Sequence, residues 1–455
     1  MRQLFFPELL WDGSDLRAGW GILVNDGIIS AVAPQDMLVT AMESSDQVRV
    51  LDGRILLPGL INAHSHSFQS LLRGLGDDLE FFTWKQALYH FVPQLTAEEL
   101  HEAAIFAFAE MARNGTTTVC EFFYVHHGDN ERCEAVIAAA ERVGIRIVLA
   151  RTLMDWEVAP SAFRETVEQA TANMRALVKR YQGHPSVLII PAPHSPHGAS
   201  AAMIRAGAAL AAEFDRPWHM HVAEAQYEVN ALRQREGCGS VGWLERLGVL
   251  DERLHIVHGV WVTDEEIAML SDHGCGLIHC PSANLFLGDG IAPVQRYLAS
   301  GVPVCLGCDS GSANNRLSIF DDMRLAALLV KGMALNASAI EAKTVLSMAT
   351  EIGGRAAGMP VGRIAPGYRA DFVTLALDDL SLQPRHNLLK NLVYSATSRA
   401  ICEVFVDGLP IFENGCLTRV SEQSIVQAVA RITDGWSERW RELHQEAPPA
   451  KRPAE

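Results

Sequence analysis

Short apolar runs alternate with longer helical patterns through the middle of this chain, and the alternation restricts the architectures open to it. The runs are "GRILLPGLINAHSH", "TTTVCEFF", "RIVLARTL", "SVLIIPAPH", "PWHMHVAE", "LHIVHGV", "GLIHCPS" and "PVCLGCDS", eight in all. Amphipathic stretches such as "HEAAIFAFAEMARNG" and "AAMIRAGAALAAEF" separate them. Strands that alternate with helices pair in parallel through crossover connections. Eight of them point to a closed (β/α)8 TIM barrel, an α/β fold. A doubly wound open sheet fits less well, because no Gly-rich phosphate loop follows the first run.

At 455 residues the chain accommodates a barrel and a smaller second unit. Both ends carry short strand-like pieces, "GILVNDGIISAVAP" before the barrel and "CEVFVDGLPIFENG" after it, with Asp-Gly turn signals. Residues 1–57 and 362–424 are therefore expected to form one small composite β-sandwich domain beside a barrel at 58–361. Residues 425–455 are read as a C-terminal helix and a loose, Pro- and Ala-rich tail.

The formal net charge of −16 argues against nucleic acid and anionic membrane as partners and says nothing about the small-molecule substrate that is expected on other grounds. No apolar run reaches the roughly 18–20 residues of a membrane helix. The opening "MRQLFFPELLWDG" lacks the pattern of a signal peptide. Nine cysteines without a regular framework fit reduced thiols, so a cytoplasmic protein is expected. Cys305 and Cys308 are read as buried strand residues rather than a redox pair.

In a barrel of this kind, chemistry sits at the C-terminal ends of the strands. Here the first strand ends in His64 and His66, the fourth in His194, the fifth in His221 followed by Glu224, the sixth in His258 and the eighth in Asp309. Residues i and i+2 of a strand share a face, so His64 and His66 both point inward. His219 shares a face with His221 but lies a layer deeper, as a hydrogen-bonded core histidine. Three imidazoles (His64, His66, His221) and the Asp309 carboxylate suit one Zn²⁺ with a water completing the shell, although Fe²⁺ and Mn²⁺ accept the same donors. Glu224 is placed to move the water's proton. His258 either hydrogen-bonds the reacting centre or serves as a further ligand.

With those residues in place, "LPGLINAHSH", "NGTTTV", "HMHVAE", "HIVHG", "HCPSAN", "CDSGSANN" and "GRIAPGYRADFV" resemble the amidohydrolase superfamily. The branch is the one holding cytosine, guanine, adenosine and S-adenosylhomocysteine deaminases and triazine hydrolases. The resemblance implies a mononuclear metal barrel, commonly dimeric, with Glu224, His258 and Asp309 catalytic and His194 touching substrate. "HSFQ…FFTWKQALYHF" and "CEFFYVHHGD" are locally similar to N-formimino-L-glutamate deiminase. That likeness brings in Gln69, Trp84 and Tyr124, with Lys85 and His197 standing where the enzyme uses arginines to hold carboxylates. The function implied is a metal-dependent aminohydrolase: a zinc-bound hydroxide hydrolyses an amidine-type C–N bond of an amino-purine, pterin, pyrimidine or triazine and releases ammonia. The alternatives are the formimino-glutamate reaction, hydrolysis of a chloro- or aminotriazine, and a catalytically inactive scaffold. His126 and His127 are read as loop histidines, and Asn284 and Asn314 as turn caps.

Overall fold

The eight apolar runs fold as eight parallel strands: β1 (Leu60–Ser65), β2 (Thr116–Phe123), β3 (Arg146–Leu153), β4 (Val187–Pro193), β5 (Trp218–Val222), β6 (Leu254–His258), β7 (Gly276–His279) and β8 (Val304–Leu306). The computed structural model describes residues 1–446. Nearly every strand position is buried, as a parallel sheet covered on both faces requires. Strands β1–β4 form one ladder and β5–β8 another.

Backbone hydrogen bonds close both seams between the ladders. At the β4–β5 seam, His221 N–H donates to His194 O over 3.1 Å. At the β8–β1 seam, Asp309 N–H donates to His64 O over 3.0 Å, and Ser65 and Asp309 form a parallel bridge. Asn62 supports the second seam, its Oδ1 accepting from Cys308 N–H at 2.8 Å.

The connecting helices start where the sequence supplies caps. Thr96 with Glu99, Thr166 with Gln169 and Thr263 with Glu266 form reciprocal capping boxes at the helices Ala97–Arg113, Val167–Arg180 and Asp264–Asp272. The first of these ends at Asn114, and Gly115 turns the chain into β2 at φ 87°.

Both chain ends enter one nine-stranded sheet beside the barrel. Strand Arg2–Trp11 runs parallel to Gln47–Pro58, which pairs antiparallel with Phe372–Ala376. The sheet wraps around a core in which Phe5 meets Phe372 and Phe405 edge-on, with ring centroids 5.3 and 5.4 Å apart. Strand Gln47–Pro58 leads directly into β1 through Gly59, where a side chain would collide with Thr117 Oγ1 at 2.1 Å.

A buried ion cluster ties the sheet to the barrel. Arg146, at the start of β3, donates to both Asp371 oxygens (2.9 and 3.0 Å) and to Asp407 (2.7 Å). Arg146 and Asp371 are 0% and 1% exposed, so the pair is fully desolvated. The C-terminal region forms two helices, Glu422–Ile432 and Trp436–Glu446, rather than one, because Gly435 adopts φ 68° between them. Trp436 stacks on Phe91 at 4.5 Å, which braces the helix Phe81–Phe91. The tail read from the sequence lies outside the described residues beyond residue 446. Among the described residues no helix is long and apolar enough to cross a membrane.

Replacing Arg146 by Met leaves the buried Asp371 carboxylate without its cation, while Asp407 keeps Arg369 at 3.3 Å. The variant is expected to lose about 3–5 kcal/mol of stability, read as a lower denaturant midpoint. An unchanged midpoint would mean that the cluster does not join the two parts.

Candidate active site

The polar residues read from the sequence meet at the C-terminal mouth of the barrel. His64 and Ser65 end β1 and His66 follows. His194 follows β4, His221 lies in β5, His258 ends β6, and Asp309 follows β8. Gly307 makes this approach possible, because a side chain there would reach His64 Cβ at 2.8 Å and Cys280 Sγ at 3.2 Å. His258 and Asp309 take left-handed backbone angles, φ 73° and 60°. Such angles cost non-glycine residues about 1–3 kcal/mol each, and they persist where surrounding structure enforces them.

The ring nitrogens are oriented by what they bond behind them. His66 Nδ1 donates to Phe122 O at 2.7 Å, and His221 Nδ1 donates to His194 O at 2.8 Å. A carbonyl only accepts, so in each neutral ring Nε2 carries the lone pair. These two Nε2 atoms lie 3.3 Å apart, and His64 Nε2 is 3.2 Å from that of His221. Asp309 Oδ1 stands 3.7 Å from His66 Nε2 and 3.9 Å from His64 Nε2. Facing lone pairs repel unless a cation stands between them. Tetrahedral Zn²⁺ with bonds of about 2.0–2.1 Å separates neighbouring ligand atoms by about 3.3 Å. The donor set therefore fits a divalent metal.

Burial pushes all three imidazoles below the ordinary histidine range, His66 to about 3, and neighbouring histidines add to the effect at His64 and His221. Rings kept neutral are rings ready to bind metal. A second grouping, His64 with His258 and Asp309, also brings its ligand atoms within 4.8 Å of one another.

His258 Nδ1 donates to Asn284 Oδ1 at 2.8 Å, and its Nε2 faces Glu224 Oε1 at 3.4 Å. Asn284 thus orients the histidine, which a reading of turn chemistry alone misses. Burial, reinforced by Glu228 and Asp309, raises Glu224 well above the usual carboxylate range. Burial lowers His258, with Asp309 opposing.

Above these groups opens a cleft. Gln69, Trp84, Lys85, Tyr124, His194 and His197, all drawn from the sequence, line it. Five of the six bond to other residues of the protein. Gln69 Nε2 donates to the Tyr124 hydroxyl at 2.8 Å, and Trp84 Nε1 to Ser312 O at 3.0 Å. His194 Nδ1 bonds Ser195 Oγ at 2.9 Å, leaving Nε2 without a partner among the described residues. His197 Nε2 meets Glu228 Oε1 at 3.3 Å.

Sequence reasoning misses Glu228, Phe81, Tyr89, Trp156 and Leu287, which also line the cleft. The signal for Glu228 is its position one helical turn beyond Glu224. The others come from loops and a helix whose apolar patterns look like ordinary packing. His126 is buried and donates to Thr152 O, while His127 is exposed and bonds Pro93 O, so neither joins the site. His219 bonds Ala356 O in the core, and Asn314 bonds Cys308 O.

A barrel with this mouth defines a hydrolase of the metal-dependent type, and the wider comparisons agree. The amidohydrolase family model matches residues 55–411, and the chain belongs to that family. It is an enzyme, a hydrolase acting on non-peptide C–N bonds. The chain is 36% identical over 406 residues to a 5-methylthioadenosine/S-adenosylhomocysteine deaminase of Halalkalibacterium halodurans, covering 88% of this chain and 90% of that one. It is 34% identical over 411 residues to a 5'-deoxyadenosine deaminase of Methanosphaera stadtmanae, covering 89% and 92%. An adenosine deaminase from Xanthomonas campestris, solved with bound zinc, superposes with a TM-score of 0.86 at 27% identity over 98% of this chain and 99% of that one. A triazine hydrolase variant superposes at 0.87 with 23% identity over 95% and 99%, a likeness of fold alone.

His66→Ala removes a nitrogen from the converging set. Metal content of the purified variant, measured by atomic emission, is expected to fall together with activity. A fully loaded variant would exclude His66 from the ligands.

Proposed function

We propose that the protein is a metal-dependent aminohydrolase of 6-aminopurine nucleosides, exchanging the exocyclic amine for oxygen and releasing ammonia. The observation that carries this reading is the 3.4 Å contact between Glu224 and His258 beside the His64–His66–His221–Asp309 cluster, beneath one aromatic cleft. The names of the relatives, all deaminases of adenosine-type nucleosides, support the substrate class. Flat walls from Phe81, Trp84, Tyr89 and Trp156 suit a heteroaromatic ring.

His64, His66, His221 and Asp309 would hold the cation, with Zn²⁺ favoured by three nitrogen donors and one oxygen. Such a cation supplies a Lewis acid that brings the pKa of a water toward about 7. Glu224 takes the water's proton, passes it to the ring nitrogen beside the amine-bearing carbon, and then serves the departing amine. The water's oxygen bonds that carbon, the C–N bond breaks, and ammonia leaves. His258, locked through Asn284, keeps Nε2 at Glu224 and at the polarised oxygen. Asp309 accepts a proton from the water, and the free Nε2 of His194 meets a ring nitrogen.

The formimino-glutamate alternative needs anchors for two carboxylates. Lys85 is the one lysine or arginine lining the cleft, and it shares the space with Glu224 and Glu228.

The test is ammonia release from adenosine, 5'-methylthioadenosine, cytosine, an aminotriazine and N-formimino-L-glutamate by Zn²⁺-loaded protein. Release from the nucleosides is expected; release from another compound instead would replace this assignment. Glu224→Gln should keep its metal and lose about 100-fold or more in kcat, and full turnover would remove Glu224 from proton transfer.

A further inference from the structure

Strand β1 does not run in step with β2 where the donors stand. Asn62 pairs with Val119 and Ser65 with Glu121, so β1 takes three steps where β2 takes two. A slip of this kind re-aims side chains, and something other than the ladder must then fix them. His66, just past the slip, is held by two consecutive residues of β2. Its Nδ1 donates to Phe122 O at 2.7 Å, and the next residue, Ser67, donates both its N–H (2.7 Å) and its hydroxyl (2.6 Å) to Glu121 Oε1. Ser67 opens the short 3-10 turn Ser67–Leu72, whose first N–H groups find no partner within the turn. His66 stands at the capping position but gives the turn no side-chain hydrogen bond, so the cap comes from Glu121.

Glu121 is fully buried, and no cation pairs with it among the described residues. Side chains alternate along a strand, so it points away from the face on which the Phe122 ring meets His64, His66 and His221. It lines no part of the cleft. A carboxyl is costly to bury in such a place, yet the two hydrogen bonds it accepts both end on the residue after His66. We propose that Glu121 is a positioning residue: through Ser67 it fixes the backbone that delivers His66 Nε2 to the metal, and so it sets the affinity of the site. The inference rests on the metal reading above. Phe122 O fixes the rotation of the ring and Glu121 the height of its backbone, and the imidazole needs both to keep Nε2 within bonding distance of the ion.

The experiment measures the Zn²⁺ dissociation constant of the full chain by competition with a chelating dye, beside the visible absorption spectrum of its Co²⁺ form. Glu121→Met fills a similar space without an acceptor and is expected to weaken Zn²⁺ binding by about 10- to 100-fold, with a shifted Co²⁺ spectrum. Glu121→Gln keeps an oxygen for Ser67 and should retain the affinity and spectrum of the wild type. Circular dichroism and the unfolding midpoint of the metal-free forms show that each variant folds. Should Glu121→Met fail to fold, Ser67→Ala carries the test: with one of the two hydrogen bonds gone, it should bind Zn²⁺ about 2- to 10-fold more weakly. A carboxyl with a merely structural role would lower the midpoint and leave affinity and spectrum unchanged. That result, or a loss in Glu121→Gln as large as in Glu121→Met, overturns the assignment and leaves the metal reading intact. A wild type that binds no Zn²⁺ tightly overturns the metal reading, and this inference with it.

Discussion

Each seam of the barrel is held by a backbone hydrogen bond made by residues of the histidine–aspartate cluster: His221 to His194, and Asp309 to His64. Closing the sheet and assembling the donors are therefore one event. Strand closure forces the Nε2 atoms of His66 and His221 together with their lone pairs facing, which is unfavourable until a cation enters. It also holds His258 and Asp309 in left-handed angles that an isolated strand end would relax. A cation that binds the closed barrel and not the unfolded chain adds its binding free energy to the stability of the fold.

The electrostatics of the mouth follow from the same closure. Glu228 and Asp309 help burial to raise Glu224, and Asp289 is pushed up to about 9, chiefly by burial with Glu224, Glu228 and Asp309 adding. Lys85 is the one lysine or arginine among the residues lining the cleft above them. So large an excess of acids is tolerable where some are protonated and a divalent cation completes the balance. The upward shift of Glu224 thus comes from its surroundings as well as from its own burial.

The parts legible in the sequence are those where chemistry is tied to strand register. His64 and His66 are two apart in a strand, and His221, His258 and Asp309 each close an apolar run, so position and orientation can be read together. Lys85 could be named from a local likeness, but its surroundings combine Tyr89 of its own helix with Trp156 and Glu228 from separate parts of the chain. Asn284 shows the same limit. Turn propensity describes its backbone, whereas its partner, His258, is fixed only when β6 and the segment after β7 lie side by side. The break at Gly435 is a local signal that helical periodicity on either side obscures.

The helix Phe81–Phe91 carries the cleft's roof and is braced from below by Trp436 of the last helix, while the donor cluster stands on strand ends that do not depend on that contact. The aromatic residues of that helix and the metal-type donors thus stand on separate pieces of chain. Side chains of the helix, or the residues that steady it, can change without disturbing the strand ends that carry the donors.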